Sequence, residues 1–598
     1  MSEKMVSVEI DGRKIEVEEG TTILDAAREL GIDIPTLCYL KDLNVEGACR
    51  VCLVEVEGEP KLAASCVYEV CDGMKVKTST PRVIKSRKQM IQLLLSDHPN
   101  DCLTCIANQN CELQTLAKEY DVRNIKFEGE RRHIPIDDLS PSIVREPEKC
   151  ILCKRCITVC KEVVTASIYE VNERGFKSFA GPAMNDSQID TPCTYCGQCI
   201  LVCPTGALHE QRQDTELVWD ALADPDKHVV IQTAPSIRAT LGEMFGMPIG
   251  SLVEGKMVTA LKQLGFDRVF DDCFGADVVV MEEGTEFIHR LEEGKRLPQF
   301  TSCCPGWVKF AENFYPELIP HLSTVRSPQQ VFGALSKTYY AEWAGIDPDK
   351  LFCVSTMPCI AKKFEARRPE MKVNGVQAVD AVLTTRELGQ IIKQAGIDLQ
   401  SLPDSDYDEP MGYASGAGVI FGAHGGVMEA TLRTVYKKLT GENMEPYQYE
   451  AVRSDSYRAL EIDVNGRQLR FGVARGLGNA RHMIDRILNG ELEFDLIEIM
   501  ACPGGCVSGG GQPIYSHKDQ WYMQVDAGGH RADALYRAGD GREVCAAHDN
   551  PWIQKLYDNF LGEPMGEKSR ELFHSSYTER PMYSRTPHDL KTKEPVKA

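Results

Sequence analysis

The sequence predicts a multidomain protein of α/β and α+β class with four units. These are a small β-grasp module (1–82), a small helical His/Cys module (83–130), a module built on a duplicated cysteine run (131–213) and a large α/β domain with a C-terminal tail (214–598). Three observations predict this. At about 150 residues per domain, 598 residues make roughly four. The 24 cysteines fall mostly in tight Cys-x-x-Cys groups near the N-terminus and only sparsely later. From about residue 228 onward, short apolar runs alternate with loops and helical stretches.

Composition narrows the functions. Apolar content of 43% and charged content of 26% allow an ordinary folded core. The net charge of −21, from 67 basic and 88 acidic residues, excludes nucleic acid and an anionic membrane surface as expected partners. It reads as solubility. The opening MSEKMVSVEIDG has no apolar segment of a secretory signal, and no run of 18 apolar residues predicts a membrane span. Cysteines in such a chain are expected to be reduced, cytoplasmic and metal-bound rather than paired in disulfides.

Residues 5–17 alternate apolar and polar (Val6, Val8, Ile10, Ile15, Val17) around Asp11-Gly12, which is a hairpin signature. Thr21 or Thr22 then caps a helix running to Leu30, and Gly31 ends it. With the cysteine loop that follows, this is a β-grasp ferredoxin module. Cys38, Cys49, Cys52 and Cys66 have the spacing C-x10-C-x2-C-x13-C, which suits an iron–sulfur cluster or a structural zinc. Cys71 reads as a core thiol. Residues 83–125 read as helical around His98, Cys102, Cys105 and Cys111. One imidazole and three thiolates serve a Cys3His zinc site and a cluster equally well.

CILCKRCITVC at 150–160 and CTYCGQCILVC at 193–203 are an internal repeat. C-x2-C-x2-C-x3-C in duplicate is the run of a bacterial two-cluster ferredoxin module, whose fourth cysteine serves the other cluster. Cys150, Cys153, Cys156 and Cys203 are therefore assigned to one 4Fe–4S cluster. Cys193, Cys196, Cys199 and Cys160 are assigned to the second.

In the large domain HVVIQ, LFCVS, AVLT, RFGVA and LIEIM read as buried strands. The cysteines now stand in TSCCPGW (301–307), STMPCIAKK (355–363) and ACPGGC (501–506), each just past a predicted strand. Sites in α/β folds lie at those strand ends. Ligands so far apart suggest a catalytic cluster, because an electron-transfer module uses one compact run. Glu283 and Glu286, in EEGTE, read from the residues alone as a solvated helix face. GAGVIFGAHGG (416–426) lacks the order of a dinucleotide loop, so it is assigned to close backbone packing, with His424 as a hydrogen-bonded pocket residue. Cys273, Cys353 and Cys545 are expected to be buried thiols, and residues 565–598 a frayed tail.

Over essentially its full length the chain resembles the iron-only (FeFe) hydrogenases, through TSCCPGW, STMPCIAKK and ACPGGC together. Its N-terminal modules are similar to those of the same family and of the large iron–sulfur subunit of respiratory NADH dehydrogenases. The resemblance implies one 2Fe–2S cluster on Cys38, Cys49, Cys52 and Cys66 and three accessory 4Fe–4S clusters, the first on His98, Cys102, Cys105 and Cys111. It implies an H-cluster whose cubane is held by Cys304, Cys359, Cys502 and Cys506. Cys506 would bridge to a di-iron unit carrying carbonyl, cyanide and a dithiolate amine. Lys362 and Ser236 would donate to cyanide, Met357 and Met500 would pack on the carbonyls, and Pro235 and Gln329 would shape the pocket. Cys303, unligated, would pass protons to the amine, with Glu283, Ser323 and Glu286 leading outward and Arg290 as an outer member.

The implied reaction is reversible reduction of protons to H2. The proton couple lies near roughly −0.4 V at neutral pH, falling ~59 mV per pH unit, and ferredoxin clusters work near about −400 mV. Electrons can therefore pass either way at little cost. No flavin or NAD motif is found, so the expected electron partner is ferredoxin or a flavin/NAD(P)-binding subunit, with H-cluster maturation proteins as transient partners. A non-catalytic iron–sulfur scaffold and a hydrogen sensor are the rival readings. Cys303 beside intact MPC and CPGGC motifs favours catalysis.

Overall fold

The computed structural model describes residues 4–444, 458–514 and 525–584. The first module is the expected β-grasp. Strands Met5–Ile10 and Arg13–Glu18 pair antiparallel, and Asp11 (φ +48°) and Gly12 (φ +83°) supply the two left-handed residues of a tight hairpin turn. Met74–Lys77 pairs parallel to the first strand, and Leu53–Val56 and Ala63–Ala64 extend the sheet to five strands. Of the two candidate caps, Thr22 is the one used: its hydroxyl accepts from the Asp25 amide and opens helix Ile23–Glu29. Helices Pro81–Ser96 and Glu112–Glu119 flank the His98–Cys111 loop.

The large domain contains two sheets among the described residues. The first has the order Arg268–Asp271, His228–Thr233, Leu351–Met357, Ala381–Thr384, and every pairing is parallel. The second has the order Gln299–Phe300, Leu496–Met500, Arg467–Arg475, Arg458–Val464, parallel except for the last pair. All five apolar runs read as strands are strands. Parallel strands buried on both faces need continuous apolar sequence. Leu496–Met500 is accordingly buried at every position.

The duplicated-cysteine module shares one apolar core with the second sheet. Cys160, Cys193, Cys196 and Cys199 pack in the same cluster as Phe300, Trp307, Ile497 and Ile499. At the junction, a Cβ on Gly197 would lie 2.9 Å from Gly510 Cα, so the two backbones touch. A side chain there would separate the module from the CPGGC loop.

Three expectations fail. Cys71 and Cys545 are exposed rather than buried. Residues 565–584 do not fray: Glu567–Phe573 is helical, and the chain beyond it is tied down by Ser575 N to Thr324 O (2.7 Å), Arg580 N to Glu312 O (2.9 Å) and Ser584 N to Asp190 O (2.9 Å). Polar composition suggested a tail, but its donors meet acceptors of the large domain and, at Asp190, of the duplicated-cysteine module. The remainder of the expected tail, residues 585–598, lies outside the described residues.

Candidate active site and its cluster relay

The duplicated runs fold alike. Leu152 and Tyr195 (φ +53° and +55°) occupy equivalent left-handed positions, and so do Lys154 and Gly197 (φ +64° and +74°). Such turns point successive amides inward and make a concavity suited to anionic groups. Cys150, Cys153, Cys156 and Cys203 line one cavity, and Cys160, Cys193, Cys196 and Cys199 line another. The fourth cysteine of each run thus stands with the other three-cysteine set.

In the first module Cys38 lies within hydrogen-bond reach of Cys49 and Cys66, and Cys52 Sγ is 3.4 Å from Cys66 Sγ. His98 is buried, and its Nε2 has no partner among the described residues. Burial also holds this imidazole below its usual pKa, hence neutral, the form that ligates iron. Thiol sets that line cavities fit iron–sulfur clusters, and the orphaned buried nitrogen of His98 is a donor without a protein partner among the described residues. The sites abut. A Cβ on Gly206 would lie 3.0 Å from Cys105 Sγ, and Asn44 Nδ2 donates to both Cys38 O (2.5 Å) and Cys153 O (3.1 Å). The wholly buried Arg155 donates to Glu112 Oε1 (3.0 Å), beside Cys111. Neither Asn44 nor Arg155 has a motif that would have revealed it.

At the centre of the large domain, a buried cavity is ringed by Cys303, Cys304, Cys359, Cys502 and Cys506. Cys304 caps helix Pro305–Phe314 just after strand Gln299–Phe300, and Cys359 lies between strand Leu351–Met357 and helix Ala361–Ala366. Cys502 and Cys506 follow strand Leu496–Met500. The ligand loops thus come from both sheets and meet between them. Pro235, Ser236, Gln329, Met357, Lys362 and Met500 line the same cavity, and Cys196 reaches its wall. The glycines allow this approach: a Cβ on Gly422 would be 3.2 Å from Ser236 Cβ, and one on Gly505 2.9 Å from the His424 amide.

Polar groups here are few and held in place. Glu365 Oε2 accepts from Ser327 (2.8 Å), Gln329 (3.1 Å) and Lys362 (3.0 Å). Lys362 Nζ also donates to Cys303 O (3.0 Å), which leaves one of its three N–H donors for a group in the cavity. Burial opposes its charge, but Glu365 outweighs this and holds the ammonium above its ordinary pKa. The buried Ser236 hydroxyl has no partner among the described residues. These orphaned donors and sulfurs fit the H-cluster.

Near Cys303, helix Cys273–Glu293 carries the buried Glu283 and Glu286, and both Glu283 carboxyl oxygens lack a hydrogen-bond partner among the described residues. Burial first, and Glu283 second, hold the Cys303 thiol well above its usual pKa. Burial pushes the Glu283 carboxyl up to about 8, with Ser323 pulling the other way. Ser323 Oγ donates to Glu286 Oε2 (2.9 Å), and Arg290 Nη2 donates to Glu286 Oε1 (2.7 Å). Glu283 and Glu286 are buried, so the solvated-face reading of EEGTE does not hold. Sequence reasoning missed Asp272, which lines the cavity and is pushed up by burial to about 7. Its place at the end of strand Arg268–Asp271 was the available signal.

A string of cysteine-lined sites leading to a cysteine-ringed cavity between two sheets defines a multi-cluster iron–sulfur oxidoreductase. Comparison with known families narrows this. Residues 227–510 match the C-terminal domain of the iron-only hydrogenase large subunit and residues 527–580 the iron hydrogenase small subunit. A 2Fe–2S cluster binding domain matches 3–81, the NADH-ubiquinone oxidoreductase-G iron–sulfur binding region 87–126 and a 4Fe–4S dicluster domain 145–207. The chain is 48% identical to the NADP-reducing hydrogenase subunit HndD of Solidesulfovibrio fructosivorans, covering 96% of this chain and 99% of that one. It is 41% identical to iron hydrogenase 1 of Clostridium pasteurianum, over 96% of this chain and all of the other (100%). A solved [FeFe]-hydrogenase HydA1 from Chlamydomonas reinhardtii superposes with a TM-score of 0.53 at 39% identity, covering 60% of this chain and 98% of that structure. The chain belongs to the iron-only hydrogenases and interconverts protons, electrons and H2 with the help of accessory iron–sulfur clusters.

Proposed function

We propose that catalysis occurs at the cavity of Cys304, Cys359, Cys502 and Cys506, with Cys303 passing protons between it and Glu283, Ser323 and Glu286. When bound there, the H-cluster supplies a metal centre and an adjacent amine base for splitting hydrogen into proton and hydride equivalents. The chain does the rest. Lys362, fixed by Glu365, presents a donor into the cavity, Ser236 presents another, and Met357 and Met500 keep the walls apolar. A carboxyl poised at about 8, as Glu283 is, can both accept and release a proton near neutral pH. The observation that carries this reading is Cys303, a cysteine in the cavity that belongs to none of the proposed ligand sets, with Glu283 close behind it.

Electrons are proposed to travel through one 2Fe–2S and three 4Fe–4S clusters on the residues named above. The abutting thiol sites and the Gly197–Gly510 contact support that route. The likeness to a subunit of an NADP-reducing hydrogenase supports a flavin- and NAD(P)-binding partner subunit, with ferredoxin as the rival acceptor. Among the described residues no helix is long and apolar enough to cross a membrane, and a cytoplasmic location is part of the proposal. H-cluster maturation proteins belong to it as well.

Cys303→Ala in matured protein should keep the infrared bands of metal-bound carbonyl and cyanide and lose nearly all H2 evolution from reduced viologen. Full activity in that variant would sink the proton path. Affinity purification from native cells under anaerobic conditions separates the two electron partners.

A further inference from the structure

Glu286 is where the inner proton track ends, and the group expected to carry protons beyond it, Arg290, is poorly suited. Its guanidinium is buried, and its two terminal nitrogens are committed to Glu286 (2.7 Å), Leu322 O (2.7 Å) and His321 O (3.0 Å). A guanidinium stays protonated at any working pH, so it can orient Glu286 but cannot hand a proton on.

A second set of contacts leaves Glu286 in another direction. Thr324 Oγ1 donates to Glu286 Oε1 (3.1 Å), and the same oxygen lies 2.7 Å from His574 Nδ1. His574 Nε2 lies 3.2 Å from Glu282 Oε2. Glu282 accepts in addition from Tyr557 OH (2.6 Å), the Met565 amide (2.7 Å) and Ser569 Oγ (3.3 Å). Both neighbours of the imidazole are therefore acceptors, so the site accommodates the doubly protonated ring. His574 is only partly buried and lines an open pocket of about 480 Å³ that also reaches Glu286 and Thr324. The other charged or titratable groups sharing that pocket are His289, Arg290, Glu293, Arg296 and Arg570. The ring is fixed by its backbone: His574 bridges Val325, Arg326 N donates to Phe573 O (2.7 Å) and Ser575 N donates to Thr324 O (2.7 Å).

We propose that His574, acting through Thr324, is the solvent-side terminus of the proton track; this rests on the Cys303–Glu286 path proposed above. A hydronium ion in the pocket protonates the imidazole at Nδ1 and is left as water. Nδ1–H then passes its proton to Thr324 Oγ1 as the threonine hydroxyl proton moves to Glu286 Oε1. The ring is left neutral, with Nε2–H held by Glu282. Hydrogen oxidation runs the same hand-offs in reverse. The residues matched to the iron hydrogenase small subunit thereby contribute to proton supply as well as to packing.

The test uses matured full-length enzyme evolving H2 from reduced methyl viologen across pH, in light and heavy water, with infrared spectra confirming an intact active site. His574→Ala and His574→Gln should lower turnover by about 10²-fold, the low end for a positioned proton-transfer group, and should enlarge the solvent isotope effect. Added imidazole should restore the alanine variant, which a purely structural role would not allow. Thr324→Val should be equally slow and insensitive to imidazole, and Thr324→Ser should regain most of the activity. Wild-type turnover and pH profile in both His574 variants, or slow variants that imidazole cannot restore, would overturn the proposal. Cys303→Ala run alongside separates the failures. If it is inert while His574→Ala is unaffected, this arm alone falls; if it is active, the inner path falls and this arm with it.

Discussion

The duplicated cysteine run and the catalytic cavity both gather cysteines, yet they assemble them over different lengths of chain. In the run, three of four sulfurs come from one short loop whose left-handed residues recur in both copies, and a single sulfur crosses over. In the cavity, the sulfurs arrive on three loops from two sheets, and glycines at 422 and 505 make the approach possible. A site whose geometry is written in local backbone conformation tolerates change elsewhere. A site made by strands meeting at a crevice depends on the whole domain, and that dependence brings other groups such as Cys303, Lys362 and Asp272 to its walls.

The largest expected effect would break the comparison outright. Cys502→Ala should abolish both turnover and the carbonyl and cyanide infrared bands, while electron paramagnetic resonance still reports the accessory clusters. Cys150→Ala should do the reverse, losing one accessory signal and keeping the infrared bands. Infrared bands lost in both variants would mean that the two regions do not assemble independently.

A smaller effect concerns Glu283. Glu283→Gln should slow turnover by roughly 10²-fold while leaving the infrared bands in place. It also carries a stability signature. Burial raises this carboxyl to about 8 in the folded chain, above the ordinary glutamate range. The protonated native form is favoured, so its contribution is complete below the ordinary range and is lost as pH climbs through about 8. The thermal midpoint of Glu283→Gln should therefore fall less between about pH 5 and pH 8 than that of the unmodified protein. Parallel curves would place the carboxyl in water.

The smallest effect sharpens the local side of the comparison. His98→Cys replaces a neutral ligand with a thiolate, which adds negative charge and disfavours the reduced cluster. Its potential should drop in a redox titration, with viologen-driven H2 evolution nearly unchanged. An unaltered potential would show that His98 does not ligate the cluster.

Much of this molecule was determined by its sequence alone. The hairpin at Asp11-Gly12, the threonine-capped helix, the five apolar strands and the loop geometry within each cysteine run all follow from neighbour-to-neighbour spacing, because turns, caps and pleats depend on residues a few positions apart. The ring of Cys304, Cys359, Cys502 and Cys506 was approached through motifs at strand ends, but only the packing of the two sheets brings those ends together. Burial was the quantity that local pattern misjudged. Glu283 and Glu286 look like a wet helix face in EEGTE, Cys71 and Cys545 look like core thiols, and residues 565–584 look like a loose tail. Each reverses in the folded chain, because whether a side chain is covered depends on elements tens to hundreds of residues away. Contacts such as His574 with Thr324, 250 positions apart, exist only once that covering is in place.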